Sequence, residues 1–172
     1  MAVRLVTIGA QHWRELRDLR LRMLADTPHA FGDRLERAAA YGDAEWRARA
    51  ARWQAPGNHA TAATELTTGR WVGMVGTVVQ DDGRLFVVSV FVDPAHRGRA
   101  AGTADALLDA ELARARERGW SRVHLHVHED NERARRWYAR RGFTATGVRV
   151  PYLLDPSREE VEMVLDLALH SQ

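Results

Sequence analysis

One stretch of the chain has residue types suited to holding an anion: Asp93-Pro94-Ala95-His96-Arg97-Gly98-Arg99-Ala100-Ala101-Gly102-Thr103-Ala104, set between a β-branched run and an Ala/Leu-rich segment. A loop that leaves a strand and enters a helix exposes the first N–H groups of that helix. No intrahelical acceptor reaches them, and they sit at the positive end of the helix dipole. Glycine and alanine let a phosphate approach the backbone, and arginine adds charge-assisted bonds. The same composition also serves plain solvated connections, so the loop alone leaves both readings open. It is neither a Walker loop, which needs Gly-Lys-Ser/Thr, nor a dinucleotide fingerprint with three glycines.

Two further groups carry chemistry. Asn131 and Tyr138 are seven residues apart, which on a helix puts them on nearly one face with Ala134 between them, leaving room for a narrow ligand. His124, His126 and His128 alternate with Val123, Leu125 and Val127, so the histidines share one face of a strand. Alternating histidines can bind zinc, but nothing nearby specifies the remaining ligands, and no metal is expected.

Composition narrows the choices. All 25 basic residues are arginine, which excludes Schiff-base lysine chemistry and a Walker lysine. The chain has no cysteine, so disulfides, zinc–thiolate sites and a thiol nucleophile are excluded too. A net charge of +2 draws polyanions weakly. No run approaches the length of a membrane helix, and the first residues lack a secretory pattern, so a cytoplasmic protein without a membrane partner is expected. At 172 residues, 1–172 is expected to be a single domain.

These groups need elements to hold them. "RLVTI" reads as a strand, Trp13 to Leu24 as a helix, and "DAEWRARAARW" as a second helix capped by Asp43, after an interruption at "TPHAFGD". "HATAATEL", "RWVGMVGTVVQ" and "RLFVVSVFV" form a meander joined at "TTGR" and "DDGR". A helix then runs to Arg118, with Ala106, Leu107, Ala110 and Ala113 on its buried stripe, and Gly119 ends it. "SRVHLHVHED" is a strand and "NERARRWYARR" a helix capped by Asn131. "FTATGVRV" and "VEMVLDLAL" are final strands around a surface loop, "LLDPSRE".

From about Leu85 to Gly147 the sequence resembles the GNAT superfamily of N-acetyltransferases. "VFVDP" ends a strand, Arg99-Ala100-Ala101-Gly102-Thr103-Ala104 matches R-x-x-G-x-A, and Asn131, Tyr138 and "RGF" follow in order. The resemblance implies an α/β (α+β) fold, a mixed, mainly antiparallel sheet flanked by helices with splayed central strands. Starting the motif at Arg97 would place Ala100 at its first glycine and Asp105 at a usual core leucine, so the Arg99 register is preferred, with a longer loop than usual. The cosubstrate implied is acetyl-CoA. Its pantetheine would pair with Val90, Phe91 and Val92, a bulge near Ser89–Val90 would turn an N–H toward the thioester carbonyl, and its diphosphate would lie on residues 97–104, Arg97 and Gly98 included. Tyr138 matches the tyrosine that protonates the departing thiolate.

The same resemblance implies a cleft beside the histidine row. Among the histidines, His126 is the candidate to line it and to help deprotonate the incoming ammonium, since an unperturbed pKa of about 6.5 suits that task, and the alternative is a row of polar residues under a helix or at a wet strand end. "NERARRWYARR" mixes arginines with aromatics, but Arg133, Arg136 and Arg140 fall on a face away from Asn131 and Tyr138. That is the pattern of a solvated face, with one arginine free for an adenosine 3′-phosphate and no nucleic-acid partner expected. The expected reaction moves acetyl to a primary amine, first on a small molecule such as an amino acid, polyamine or aminated antibiotic. A protein N-terminus and a non-catalytic acyl-CoA-binding module are the alternatives. A homodimer is compatible with the sequence and not required by it.

Overall fold

The chain builds its sheet from local hairpins wherever a glycine can take a left-handed turn. In the computed structural model, which describes residues 2–98 and 100–168, Gly69 (φ 71°) and Gly83 (φ 78°) close the turns joining β2 (His59–Glu65), β3 (Trp71–Val79) and β4 (Leu85–Val92). β1 (Val3–Thr7) flanks β2. β5 (Arg122–His128), β6 (Thr144–Tyr152) and β7 (Asp155–Asp166) complete a seven-stranded sheet of order β1-β2-β3-β4-β5-β7-β6. Every pairing is antiparallel except β4 with β5. This is the mixed, mainly antiparallel sheet expected from the sequence.

Helices cover both faces. α1 (Trp13–Asp26), α2 (Leu35–Ala39) and α3 (Asp43–Ala51) lie on one face, over a core containing Leu19, Met23, Trp46 and Phe91. α4 (Thr103–Glu117) and α5 (Glu132–Arg140) lie on the other, with Leu107, Leu108, Leu112, Tyr138 and Phe143 packed on Val87, Leu125 and Val127. Burying such apolar surface contributes on the order of 25 cal/mol per Å², and it is what fixes the two layers against the sheet.

Several sequence readings are corrected. The interruption at Thr27–Asp33 leads into the short helix α2, which the periodicity did not reveal. Gly42 rather than Asp43 caps α3: Asp43 is its first helical residue and makes no side-chain capping bond. The buried stripe of α4 is Thr103, Leu107, Leu108, Glu111, Leu112 and Ala115, while Ala106 is exposed. Most of the supposed loop 153–159 is strand, because β7 begins at Asp155, opposite Tyr152.

Glu111 enters the core because β2 and β3 supply partners for it. His59 Nδ1 lies 2.8 Å from its carboxylate, and Thr61 and Thr77 hydroxyls donate to it at 2.7 and 3.0 Å. A buried carboxylate is tolerated only when bonded in this way.

Candidate active site

β4 and β5 run side by side at one register pair only, Phe86 opposite His124. Beyond that pair the strands diverge, leaving the β5-facing edge of β4 without a strand partner. On its other edge β4 carries an extra residue, since Met74 faces Phe91 while Gly76 faces Val88, two steps on β3 against three on β4. Ser89 takes up the slack at φ 55°, a left-handed conformation uncommon for a residue with a side chain. The phase of the strand therefore changes. Leu85 and Val87 face the α4 layer, and so do Val90 and Val92. The bulge stands at Ser89–Val90, where the resemblance implied it.

The divergence opens a cleft of about 370 Å³. Val90, Phe91 and Val92 form one wall, Arg97 and Gly98 one end, and Ala104 and Asp105 of the first α4 turn lie beside them. Asn131, Ala134 and Trp137 form the opposite wall. The loop ahead of α4 turns on itself, Ala101 and Gly102 N–H groups donating to Gly98 O at 3.2 and 3.3 Å. Gly98 (φ 102°) and Gly102 (φ 62°) are both left-handed, and a Cβ on either would meet nothing within 4 Å, so the space above the loop is open. Ala100 and Ala101 complete the loop, and Thr103 is buried beneath it. The first-turn N–H groups of α4 lack intrahelical acceptors.

Arg97 is committed within the protein. Its Nε donates to Val92 O at 2.7 Å, its guanidinium pairs with Asp26 at the end of α1, and it lies over the Phe91 ring at 5.5 Å. It fastens the loop to β4 and α1. Arg99, the preferred motif arginine, lies outside the described residues.

Asn131 caps α5, its side chain accepting the Ala134 N–H at 3.1 Å as the sequence indicated. Asn131 and Ala134 border the cleft but Tyr138 does not. Its ring is 7% exposed and packs edge-on to Phe143 at 5.5 Å. Asn131 stays on the helix, its carbonyl accepting the Arg135 N–H at 3.0 Å, while Tyr138, two turns further on, is the residue of α5 turned into the core. Burial pushes the Tyr138 phenol up, so it stays protonated. Arg133 and Arg140 border the cleft too, which corrects their assignment to a remote face.

His126 lies elsewhere. Its ring stacks near Phe86 at 5.0 Å, with Nε2 3.6 Å from Glu162. Glu162 is buried and takes a 2.8 Å bond from Arg84. Burial alone would raise that carboxyl, but hydrogen bonding from Arg84 and Thr146 and the nearby Arg84 and His124 charges together outweigh it and hold it below the ordinary range. His124 faces the same carboxylate, and burial lowers its pKa. His128 instead borders a second cavity of about 410 Å³, together with His29 and Tyr152. This cavity shares Thr27, Ala30 and Asn131 with the cleft. Segments distant in sequence build it, the loop after α1, the end of β5 with the residues that follow it, and the facing ends of β6 and β7, so no periodic signal could have revealed it. Among the described residues, no group of three His, Asp or Glu side chains is arranged to hold a metal ion.

The sequence profile of the acetyltransferase (GNAT) family matches residues 15–143. The chain belongs to the GNAT family. This is an enzyme family of acyltransferases, and the splayed strands, bulge and glycine loop of this chain lie inside the matched region. An uncharacterized N-acetyltransferase of Mycobacterium tuberculosis is 34% identical over 99 residues, 58% of this chain and 62% of that protein, so the chain spans 62% of the length of the curated relatives it first matches. Mycothiol acetyltransferase of Beutenbergia cavernae is 41% identical over 70 residues, covering 41% of this chain and 22% of that one.

Among solved structures, nourseothricin acetyltransferase is 29% identical with a TM-score of 0.57, covering 65% of this chain and 66% of its own. The yncA protein of Salmonella typhimurium, solved with its cofactor acetyl-CoA, shares the GNAT fold at a TM-score of 0.76 and 19% identity, covering 100% and 98% of the two chains. Among the described residues, no helix is long and apolar enough to cross a membrane.

The residues present fit acetyl-CoA. An open strand edge on β4, a glycine loop with free space above it, and small Ala104 and Ala134 side chains suit a narrow, diphosphate-bearing arm.

Proposed function

We propose that this protein is a single-domain, cytoplasmic N-acetyltransferase that moves acetyl from acetyl-CoA to a primary amine on a small molecule. The observation that carries the reading is the coincidence of the β4 bulge with the divergence of β4 and β5. It leaves unpaired strand backbone beside a left-handed residue, as a carbonyl-binding N–H requires. Acetyl-CoA supplies a thioester with an electrophilic carbonyl carbon.

The chain's own residues do the rest. Backbone N–H near Ser89–Val90 donates to the carbonyl oxygen, and residues 97–104 hold the diphosphate. Arg133 and Arg140 stand beside the cleft for the remaining phosphate. The amine nitrogen bonds to the carbonyl carbon as the carbon–sulfur bond breaks. The ammonium first gives one proton to water in the open cavity so that the neutral amine attacks. Tyr138, held protonated by burial, donates to the departing sulfur, and the second proton, shed by the acylated nitrogen, returns through water to the Tyr138 phenolate. The reading assigns no proton to His126, which does not border the cleft.

The test is release of CoA thiol from acetyl-CoA against a panel of primary amines, alongside calorimetric binding of CoA. Amine-dependent release is expected. Binding of CoA with no release above the hydrolysis background would identify a non-catalytic acyl-CoA-binding module, and acetylation of peptide N-termini alone would move the acceptor to proteins.

A further inference from the structure

We infer that the cavity beside the cleft receives the distal, positively charged end of the acceptor, so that the preferred substrate is a diamine or oligoamine. This rests on the acetyl-transfer reading above. Because the cavity shares Thr27, Ala30 and Asn131 with the cleft, a molecule whose amine meets the thioester extends into it.

The charged side chains around the cavity carry a negative excess. Asp130 and Asp155 stand at its rim. Hydrogen bonds from the Ser157 side chain and backbone hold the Asp155 carboxyl below its ordinary range, so it is ionised at neutral pH. Arg158, the cation among the lining residues, is paired with Asp130 and lies 3.2 Å from Glu129. Arg149 is shared between Glu129 (3.5 Å) and Glu159 (2.8 Å), and Arg34 approaches Leu154 O at 3.4 Å. Glu160 lies behind Tyr152, its carboxyl raised by burial. Leaving Glu160 aside, four carboxylates (Glu129, Asp130, Asp155, Glu159) face three guanidiniums (Arg34, Arg149, Arg158), and the remainder is negative.

A second, independent observation points to a ligand. Tyr152 is 3% exposed, lines the cavity, and its hydroxyl has no hydrogen-bond partner among the described residues. Burial, and then the neighbouring Glu160, push this phenol up, so it remains a neutral hydroxyl with lone pairs to offer. A buried unbonded hydroxyl costs free energy that an ammonium N–H would recover. The His128 and Tyr152 rings meet edge-on at 4.9 Å, so the Tyr152 ring gives the cavity an aromatic wall of the kind that favours a cation. An amino acid's carboxylate would find Arg158 already engaged and the rim carboxylates repelling it.

The test uses three acceptors of equal length and identical reacting amine: putrescine, butylamine and 4-aminobutyrate, which end in ammonium, methyl and carboxylate. With the full chain and acetyl-CoA, kcat/KM is expected to be about five- to tenfold higher for putrescine than for butylamine, with 4-aminobutyrate lowest. Asp155→Asn keeps the turn with Ser157 and should bring the putrescine-to-butylamine ratio toward one. Tyr152→Phe should lower it independently. Calorimetric binding of CoA certifies that each variant is folded. Equal or better use of butylamine, preference for 4-aminobutyrate, or an unchanged ratio in both variants overturns the inference and leaves acetyl transfer standing. No thiol release with any amine overturns acetyl transfer itself, and this inference with it.

Discussion

The indole Nε1–H of Trp137 donates to Asp105 Oδ1 at 3.1 Å, tying α5 to the first turn of α4 across the cleft. Arg141 lies 3.8 Å from the same carboxylate. Asp105 thus places a negative charge at a helix start that would otherwise favour anions, and Trp137 offsets part of it. Trp137→Phe keeps an aromatic wall and removes the donor. Acetyl-CoA binding, read by calorimetry, is expected to weaken by about three- to tenfold. An unchanged Kd would show that the bond does not shape the cleft.

Tyr138 carries the proton donor role in the proposed reaction without touching the described cleft. Tyr138→Phe preserves its packing on Phe143 and is expected to lower kcat by about 100-fold while CoA affinity holds. If kcat persists, thiolate protonation passes to water. If CoA affinity collapses with it, the ring acts through packing.

Glu111 satisfies three polar side chains within the core. Glu111→Ala strands His59, Thr61 and Thr77 together and should cost about 3 kcal/mol or more in urea denaturation, with Glu111→Gln costing less. A loss under about 1 kcal/mol for the alanine variant would mean that water replaces the carboxylate freely.

Asp26 links the Arg97 loop to acid stability. Burial alone would raise its carboxyl, but bonds from Arg97 and Thr27 outweigh that and hold it below the ordinary 3.8. A carboxyl depressed in the folded state stabilises the fold fully above its unfolded value, and that contribution fades as pH falls through the folded value. The thermal midpoint of the unsubstituted protein should therefore drop more steeply below about pH 4 than that of Asp26→Asn. Parallel curves would remove the Asp26–Arg97 pair from the account.

Features governed by near neighbours were legible in the sequence. The hairpins at Gly69 and Gly83 follow from turn chemistry, and the Asn131 cap from its relation to Ala134. What long-range partners decide was not legible. Alanines crowd several faces of α4, so its stripe could not be read from period alone, and Glu111 is buried only because β2 and β3 bring it a histidine and two threonines. Asp155-Pro156-Ser157 looks like a loop, yet β7 tolerates Pro156 because β5 pairs with β7 only from Glu160 onward, leaving no ladder bond to lose on that side. The second cavity needs Thr27 from the end of α1, His128 from the end of β5 and Tyr152 from the end of β6, and nothing in any one of these segments announces the other two.

The gap between β4 and β5 also bears on aggregation. A bare strand edge is a template on which other chains can polymerise, and proteins commonly blunt such edges at the rim of a sheet. Here the bare edge is internal, on the face covered by α4 and α5, whose Ala104 and Ala134 line the cleft beside it. The fold can therefore keep sticky backbone exposed for a small molecule while denying it to another polypeptide.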